Sequence, residues 1–200
     1  VRAILEGRKT QTRRIVKPQP LHIEWFEHQK GFIGSFGDDA GSRENPHRMV
    51  PCPYGQEGDR LWVRETWASN SVGKIMAEMF NAKPQPSVYF AATHHAARSW
   101  RWRSSIHMPR WASRITLEVT GVRVERLQDI SEGDTIAEGV EISDLAKLHA
   151  LALRKKGRNI SAAVVEYGIL WESINGPGSW DVNPWVWVVE FKRVQEGGAA

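Results

Sequence analysis

The chain has 200 residues, of which 41% are hydrophobic and 25% are charged. This composition is typical of one globular domain with a sizeable core, and a single cysteine excludes an internal disulfide and a multi-cysteine zinc site. The net charge of +4 suggests an anionic partner but does not prove one. With no membrane-length apolar run and no charged-then-apolar leader, we expect a cytoplasmic protein without a membrane partner.

The first half of the chain predicts short elements separated by loops. Apolar residues at helical spacing in residues 1–5, followed by Gly7, predict a short helix with a glycine C-cap. Residues 28–58 are rich in Gly, Asp, Ser, Asn and Pro and predict a long irregular insertion. Strands are predicted over residues 59–65 and 87–91, with a short helix between them over residues 74–80.

The second half is more regular. Residues 114–126 alternate apolar and polar side chains and predict a long strand bent at Gly121. A short helix is predicted from Ser131, its N-cap, to Gly139, its C-cap. Two amphipathic helices are predicted over residues 143–156 and 160–174. A closing strand over residues 184–194 and a disordered tail over residues 195–200 follow. This order predicts an α+β fold, with a small mixed barrel as its architecture.

Lys9 and Thr12 form the first candidate constellation. Arg8, Arg13 and Arg14 surround them, and neighbouring positive charge lowers the pKa of a lysine and favours its action as a base. A threonine hydroxyl becomes a nucleophile beside such a base. An extended backbone would place the two side chains on opposite faces, so the hypothesis requires a bend at residues 10–11. A solvated basic loop is the alternative interpretation.

Glu138 is the second candidate, because it directly precedes the C-capping Gly139. A carboxylate at this end of a helix faces the negative pole of the helix dipole, which disfavours ionisation and suits proton transfer. The alternative is an exposed glutamate on a helix too short to have a strong dipole.

Residues 91–117 form the third candidate, since they lack acidic residues and combine arginine with tryptophan. Arginines neutralise phosphates and indoles stack on unpaired bases, although a half-buried strand with an arginine face would show the same alternation. The candidate nucleic-acid-binding residues are Arg98, Trp100, Arg101, Trp102 and Arg103. Glu65 and Trp67, at the end of the predicted strand 59–65, are candidates for lining a pocket. The adjacent His94 and His95 diverge, so no metal site is predicted.

Four blocks together resemble the ASCH domain family, whose members share a PUA-like barrel. They are GRKTQTRR (7–14), GDRL (58–61), residues 130–138 and WVVEFK (187–192). The resemblance implies one PUA-like domain over residues 1–194. Long loop insertions without counterpart in the small members lie at about 20–57, 67–112 and 141–182. Longer phage and prophage members carry a further strand before the first helix.

The resemblance also implies a function. Lys9, Thr12 and Glu138 match the catalytic lysine, threonine and glutamate of family members that hydrolyse N(4)-acetylcytidine. We therefore expect a metal-independent amidohydrolase that needs no cofactor and acts on N(4)-acylated cytosine nucleosides. Arginines or backbone N–H groups would stabilise the oxyanion, and an aromatic ring would stack on the base. The expected substrate-binding residues are Arg13, Arg14, Glu65, Trp67, Arg110 and Trp111.

Two alternatives stay open. The charge, the arginine–tryptophan stretch and the PUA-like resemblance also fit an RNA- or modified-base-binding module without turnover. A metal-independent ribonuclease using the same lysine and arginines is the third interpretation.

Overall fold

The computed structural model describes residues 1–26, 31–35, 47–69, 88–94 and 101–194. Its helices are α1 (Arg2–Leu5), α2 (Glu132–Ala137), α3 (Asp144–Lys155) and α4 (Ala162–Asn175). Its strands are β1 (Gln11–Ile15), β2 (His22–Phe26), β3 (Gly31–Ser35), β4 (His47–Pro51), β5 (Arg60–Trp62), β6 (Trp67–Ser69), β7 (Val88–Phe90), β8 (Thr116–Arg126) and β9 (Trp185–Val194). Single 3₁₀ turns cover Ser105–His107, Arg110–Ala112 and Leu127–Asp129.

The main sheet is antiparallel and strongly curled, with strand order β1-β9-β8-β5. The long pair β8–β9 changes register between Val119 and Gly121, and such an irregularity bends a strand. A Cβ added to Gly121 would lie 3.1 Å from Glu190 Oε2, so glycine leaves room for this carboxylate. The predicted long strand with its irregularity at Gly121 is confirmed, as is the α+β class; the PUA-like assignment stays a prediction.

Two smaller antiparallel sheets accompany the main one. One has the order β2-β3-β4 and the other pairs β6 with β7. The prediction that residues 28–58 are irregular is therefore wrong in part, because β3 and β4 lie there. Backbone pairing between successive strands of this sheet builds β3 and β4, and a Gly- and Asp-rich composition does not reveal such pairing. The helix predicted over residues 74–80 and the tail 195–200 lie outside the described residues.

The core lies on both faces of β9. On one face, Val186 and Val188 pack against Tyr167 and Trp171 of α4. The opposite face adds Trp187 and Val189 to a cluster with Val16, Cys52 and Val119. Burial on both faces explains why this segment is a nearly continuous apolar run rather than an alternating one.

The helices of the second half follow their predicted positions closely. In α2, Ser131 accepts from Asp134 N–H while the Asp134 side chain bonds back, forming a capping box. Ser143 and Ser161 cap α3 and α4 in the same way, each accepting from a backbone N–H of its own helix. Among the described residues, no helix has the length and apolar character needed to cross a membrane.

One predicted strand is shorter than expected. The expectation covered residues 59–65, whereas β5 ends at Trp62 and the ladder continues only through the Val63 N–H, which donates to Ile115 O. Beyond this point the chain leaves the sheet, and Glu65 pairs with Arg114.

Candidate functional site

The candidate site forms where the segment before β1 meets the end of α2. Lys9 makes an isolated antiparallel bridge with Glu138. The Thr10 N–H donates to Ala137 O at 2.8 Å, whereas Thr10 O accepts from Phe191 N–H at 2.8 Å. The backbone therefore changes partner at Thr10, from the end of α2 to β9.

Gly139 allows these segments to approach each other. Its φ of +80° lies in the left-handed region, which glycine adopts without strain. A Cβ at this position would lie 2.8 Å from the Ala3 Cβ and 2.9 Å from the Lys9 Cβ. Glycine is thus required both for the end of α2 and for the close contact with α1 and Lys9.

Lys9 and Glu138 form the central ion pair. Lys9 Nζ donates to Glu138 Oε2 at 2.5 Å and to the Glu138 backbone oxygen at 2.8 Å. The Glu138 side chain is only 4% exposed, whereas that of Lys9 is 24% exposed. An ammonium group has three N–H donors, so one donor of Lys9 has no acceptor among the described residues and is available to a ligand.

The second carboxylate oxygen of Glu138 is also held. Tyr167 OH donates to Oε1 at 3.3 Å, and Arg13 Nη1 lies 3.5 Å from the same atom. Burial raises the pKa of Tyr167, and the charge of Glu138 raises it further, so the phenol stays protonated and acts as a donor. Because both oxygens have partners, the orientation of the Glu138 carboxylate is fixed.

Arg13 connects Glu138 to a second group of carboxylates. Its side chain is fully buried, and Nη2 lies 2.5 Å from Glu125 Oε1 and 3.4 Å from Asp134 Oδ2. Its Nη1 donates to Gln11 Oε1 at 2.6 Å. A buried guanidinium requires such partners, since an unpaired buried charge is strongly unfavourable.

Asp134 is ionised in this network. Partial burial opposes its ionisation, but hydrogen bonds from Gln11 and Ser131 and the charges of Arg13 and Arg123 outweigh burial and lower its pKa to about 2. Asp134 therefore remains a negative partner of Arg13 at neutral pH.

A cavity of about 260 Å³ opens beside this network, between β1 and α4. The expected catalytic residues Lys9, Thr12 and Glu138 all line it, as do Arg13 and Arg14. The backbone changes partner at residue 10, but no turn or bend is described at residues 10–11, so the bend that the Lys9–Thr12 hypothesis requires stays a prediction. Thr12 is half-buried, and its hydroxyl has no hydrogen-bond partner among the described residues.

The edge of β1 adds backbone donors to this region. Val16 N–H donates to Trp185 O, and Phe191 N–H donates to Thr10 O. The backbone N–H and C=O groups of the even-numbered residues of this segment therefore point toward β9. In an antiparallel ladder the alternate residues then direct their N–H groups away from the partner strand. The N–H groups of Arg13 and Ile15, two residues that line the cavity, consequently point away from β9.

The other expected substrate-binding residues do not line this cavity. Glu65 is buried and forms a bidentate pair with Arg114, with contacts of 3.0 and 2.9 Å. Trp67 is buried against Phe90 and Met108. Arg110 and Trp111 lie near this cluster, and their part in binding stays a prediction.

A tryptophan–arginine surface surrounds that cluster, and we define it by Trp62, Arg64, Arg103, Arg110 and Trp111. The ring of Trp62 has the guanidinium carbons of Arg64 and Arg110 at 4.7 and 5.8 Å from its centroid. Trp111 is 61% exposed.

Of residues 101–103, for which a half-buried strand was one interpretation, only Arg103 pairs, through an isolated bridge to Trp67. Its guanidinium carbon lies 5.0 Å from the Trp67 ring centroid. Arg101 and Trp102 are not in a strand. Arg98 and Trp100 lie outside the described residues.

Sequence reasoning missed Tyr167, Glu125 and Gln11 as members of the network. Tyr167 lies in the amphipathic helix predicted over residues 160–174, and a hydroxyl among its apolar side chains is the available signal. Glu125 and Gln11 gave no signal, because the contacts of Glu125 with Arg13 and of Gln11 with Asp134 join segments far apart in the chain.

Within the described ranges, no group of three His, Cys, Asp or Glu side chains is arranged to hold a metal ion. Burial raises the pKa of the Cys52 thiol, which therefore is a poor nucleophile. A comparison of the chain with protein-family models, with curated proteins and with solved structures finds no match.

Proposed function

We propose that this protein is an amidohydrolase that removes the acyl group from N(4)-acylated cytosine nucleosides. The observation that carries the proposal is the 2.5 Å contact between Lys9 Nζ and Glu138 Oε2 at a cavity that Thr12 also lines. The resemblance of residues 7–14 and 130–138 to the ASCH motifs supports the same three residues. The buried partners of Glu138 give the pair the fixed geometry that catalysis needs.

The first half of the reaction transfers the acyl group to the protein. Lys9 passes a proton to Glu138 along their hydrogen bond, and the neutral amine then takes the proton of Thr12 as its Oγ1 attacks the acyl carbonyl carbon. Arg13, Arg14 or the edge N–H groups stabilise the tetrahedral oxyanion. The C–N bond breaks, the exocyclic nitrogen takes the proton from Glu138, and the cytosine nucleoside leaves.

The second half returns the protein to its starting state. Lys9 again passes its proton to Glu138 and accepts one from a water molecule, which attacks the acyl ester. The ester C–O bond breaks, Thr12 Oγ1 takes the proton from Glu138, and a carboxylic acid leaves. An alternative is direct attack of water on the amide, with Lys9 and Glu138 sharing the role of base; it gives the same products.

The test follows N(4)-acetylcytidine by HPLC with the wild type, Lys9→Ala and Lys9→Arg in the presence of EDTA. We expect conversion to cytidine by the wild type and none by either variant, because arginine stays protonated and cannot act as a base. Lys192→Ala is the matched control, since Lys192 is also ion-paired, with Glu118, but lies away from the cavity. Retained hydrolysis in Lys9→Arg would contradict the proton transfer.

Thr12 separates the two routes. Thr12→Val keeps the shape of the side chain and removes its hydroxyl. A covalent route predicts loss of hydrolysis in Thr12→Val and partial retention in Thr12→Ser, whereas direct water attack predicts that both variants remain active.

A second candidate function is binding of single-stranded RNA. The observation in its favour is the tryptophan–arginine surface, where Trp111 is largely exposed among arginines. Exposed indoles stack on unpaired bases and arginines neutralise phosphates. Binding to this surface should weaken steeply with salt, Trp111→Ala should reduce the affinity, and Arg103→Ala should also reduce the salt dependence. Binding that is unchanged in both variants would exclude this surface.

A further inference from the structure

A second cavity, of about 380 Å³, adjoins the first along β1. Arg14, Ile15 and Asn175 line both cavities. The first cavity is smaller than the usual volume of a small-molecule site, about 300–1,000 Å³, whereas the two together fall within it. A ligand whose reacting group lies beside Lys9 would therefore reach the second cavity by passing these shared residues.

The two cavities differ in whether a carboxylate lines them. The first contains the carboxylate of Glu138, whereas no Asp or Glu is among the residues that line the second. The second contains Lys17 and Arg14, which also lines the first cavity, together with the exposed ring of Tyr54. The second cavity is thus suited to an anionic part of a ligand.

The cations of the second cavity have no carboxylate partner among the described residues. In the first cavity, Lys9 is paired with Glu138 and Arg13 is paired with Glu125. Neither Arg14 nor Lys17 forms a salt bridge with a described residue, and both are exposed. Cations without a protein partner are free to bind an anion, and the planar guanidinium of Arg14 fits two oxygens of a phosphate at once.

We propose that the natural substrate carries a phosphate, so that it is an N(4)-acylcytosine nucleotide rather than a free nucleoside. This inference rests on the proposed amidohydrolase function. The acylated base occupies the first cavity and the ribose passes Ile15 and Asn175. The phosphate then lies between Arg14 and Lys17. The phosphate can belong to a mononucleotide or to a residue within a polynucleotide, since both present the same anionic group.

The test compares kcat/KM for three substrates at low salt. They are N(4)-acetylcytidine, its 5′-monophosphate, and a short RNA that contains one N(4)-acetylcytidine. We expect at least a tenfold preference for a phosphorylated substrate over the nucleoside. Preference for the monophosphate identifies a mononucleotide substrate, whereas preference for the RNA alone identifies a polynucleotide. Equal values for all three substrates would overturn the inference.

Variants locate the phosphate contact. In Lys17→Gln and in Arg14→Gln the preference for the phosphorylated substrate should fall several-fold, and higher salt should reduce it in the wild type. Lys192→Gln removes a positive charge at a distance and should keep the preference. A preference that survives both Lys17→Gln and Arg14→Gln would show that the phosphate binds elsewhere.

A binding measurement separates this inference from the proposed function. Calorimetry with cytidine and with cytidine 5′-monophosphate needs no turnover. Tighter binding of the monophosphate, lost in Lys17→Gln, supports the phosphate contact even if no acylated substrate is hydrolysed. Equal affinities for the two ligands, with active hydrolysis of N(4)-acetylcytidine, would leave the amidohydrolase function and refute the phosphate contact.

Discussion

Replacing Arg13 by methionine tests the network that orients Glu138. The Arg13 guanidinium contacts three carboxylates, those of Glu125, Asp134 and Glu138, at 2.5, 3.4 and 3.5 Å. Methionine keeps much of the side-chain volume but leaves these charges without their shared cation. Removal of one partner from a buried ion pair costs about 3–5 kcal/mol. We therefore expect the free energy of unfolding to fall by about that amount at pH 7.

Arg14→Met is the matched control. Arg14 is the next residue in the same strand, but it is exposed and has no salt bridge with a described residue. Substitutions at such positions change the free energy of unfolding by about 0.5 kcal/mol or less. Urea denaturation followed by tryptophan fluorescence measures both variants, with the linear dependence on urea giving the free energy in water.

The pH dependence provides an independent check. Because the pKa of Asp134 is lowered to about 2 in the folded protein, its stabilisation is complete above its unfolded pKa of 3.8 and is lost as the pH falls through about 2. Arg13 contributes to the lowering of the Asp134 pKa. In Arg13→Met, Asp134 therefore contributes less stability at pH 7 and less is lost on acidification. The difference between wild type and Arg13→Met should therefore shrink between pH 7 and about pH 3, by less than the roughly 1 kcal/mol that Asp134 as a whole loses over this range, because Gln11, Ser131 and Arg123 also lower its pKa.

Two results would refute this reasoning. Equal losses of stability in Arg13→Met and Arg14→Met would mean that the buried ion pairs of Arg13 do not contribute measurably to the free energy of unfolding. A difference between wild type and Arg13→Met that stays constant with pH would mean that Arg13 does not lower the pKa of Asp134.

Two further predictions concern the surroundings of Lys9 and Glu138. Gly139→Ala should destabilise the protein by more than the roughly 1–2 kcal/mol of a left-handed alanine and reduce acyl-cytidine hydrolysis, because its Cβ would overlap that of Lys9. Gly157→Ala is the control, because Gly157 has a similar φ of +78° but a Cβ added there would meet no atom within 4 Å. In the same denaturation and HPLC assays it should show only the loss of stability from a left-handed alanine. Tyr167→Phe removes one hydrogen bond to Glu138 and should lower the stability by about 1–2 kcal/mol and kcat several-fold. Its alkaline pH–rate profile should match that of the wild type, because the raised pKa keeps Tyr167 protonated; a shift would contradict this assignment.

Much of the fold could be predicted because its signals are local. The caps at Ser131, Ser143 and Ser161 satisfy helix N–H groups within three residues, so each helix start is visible in the sequence. The bend at Gly121 is likewise marked by the residue itself. The strands β3 and β4 were missed because they are built by pairing between segments whose composition is typical of loops.

The candidate site could be predicted only in part. Lys9, Thr12 and Glu138 were selected on chemical grounds and by the resemblance to ASCH motifs, and all three line one cavity. Glu65 and Trp67 were selected from their position at a strand end, but Trp67 packs into a separate cluster and Glu65 pairs with Arg114. The position of a residue at the end of a strand does not predict its tertiary contacts.

The sequence by itself determined the class of fold, the positions of the capped helices and the candidate residues of the proposed acyl transfer, because propensity and chemistry belong to individual residues and their near neighbours. Only the tertiary structure decided that Arg13 is buried and Arg14 is exposed, although they are adjacent and identical. It also decided that Lys9 meets Glu138, a residue far away in the chain. Burial and ion pairing depend on which distant segments come together, and that is set by the packing of the whole fold.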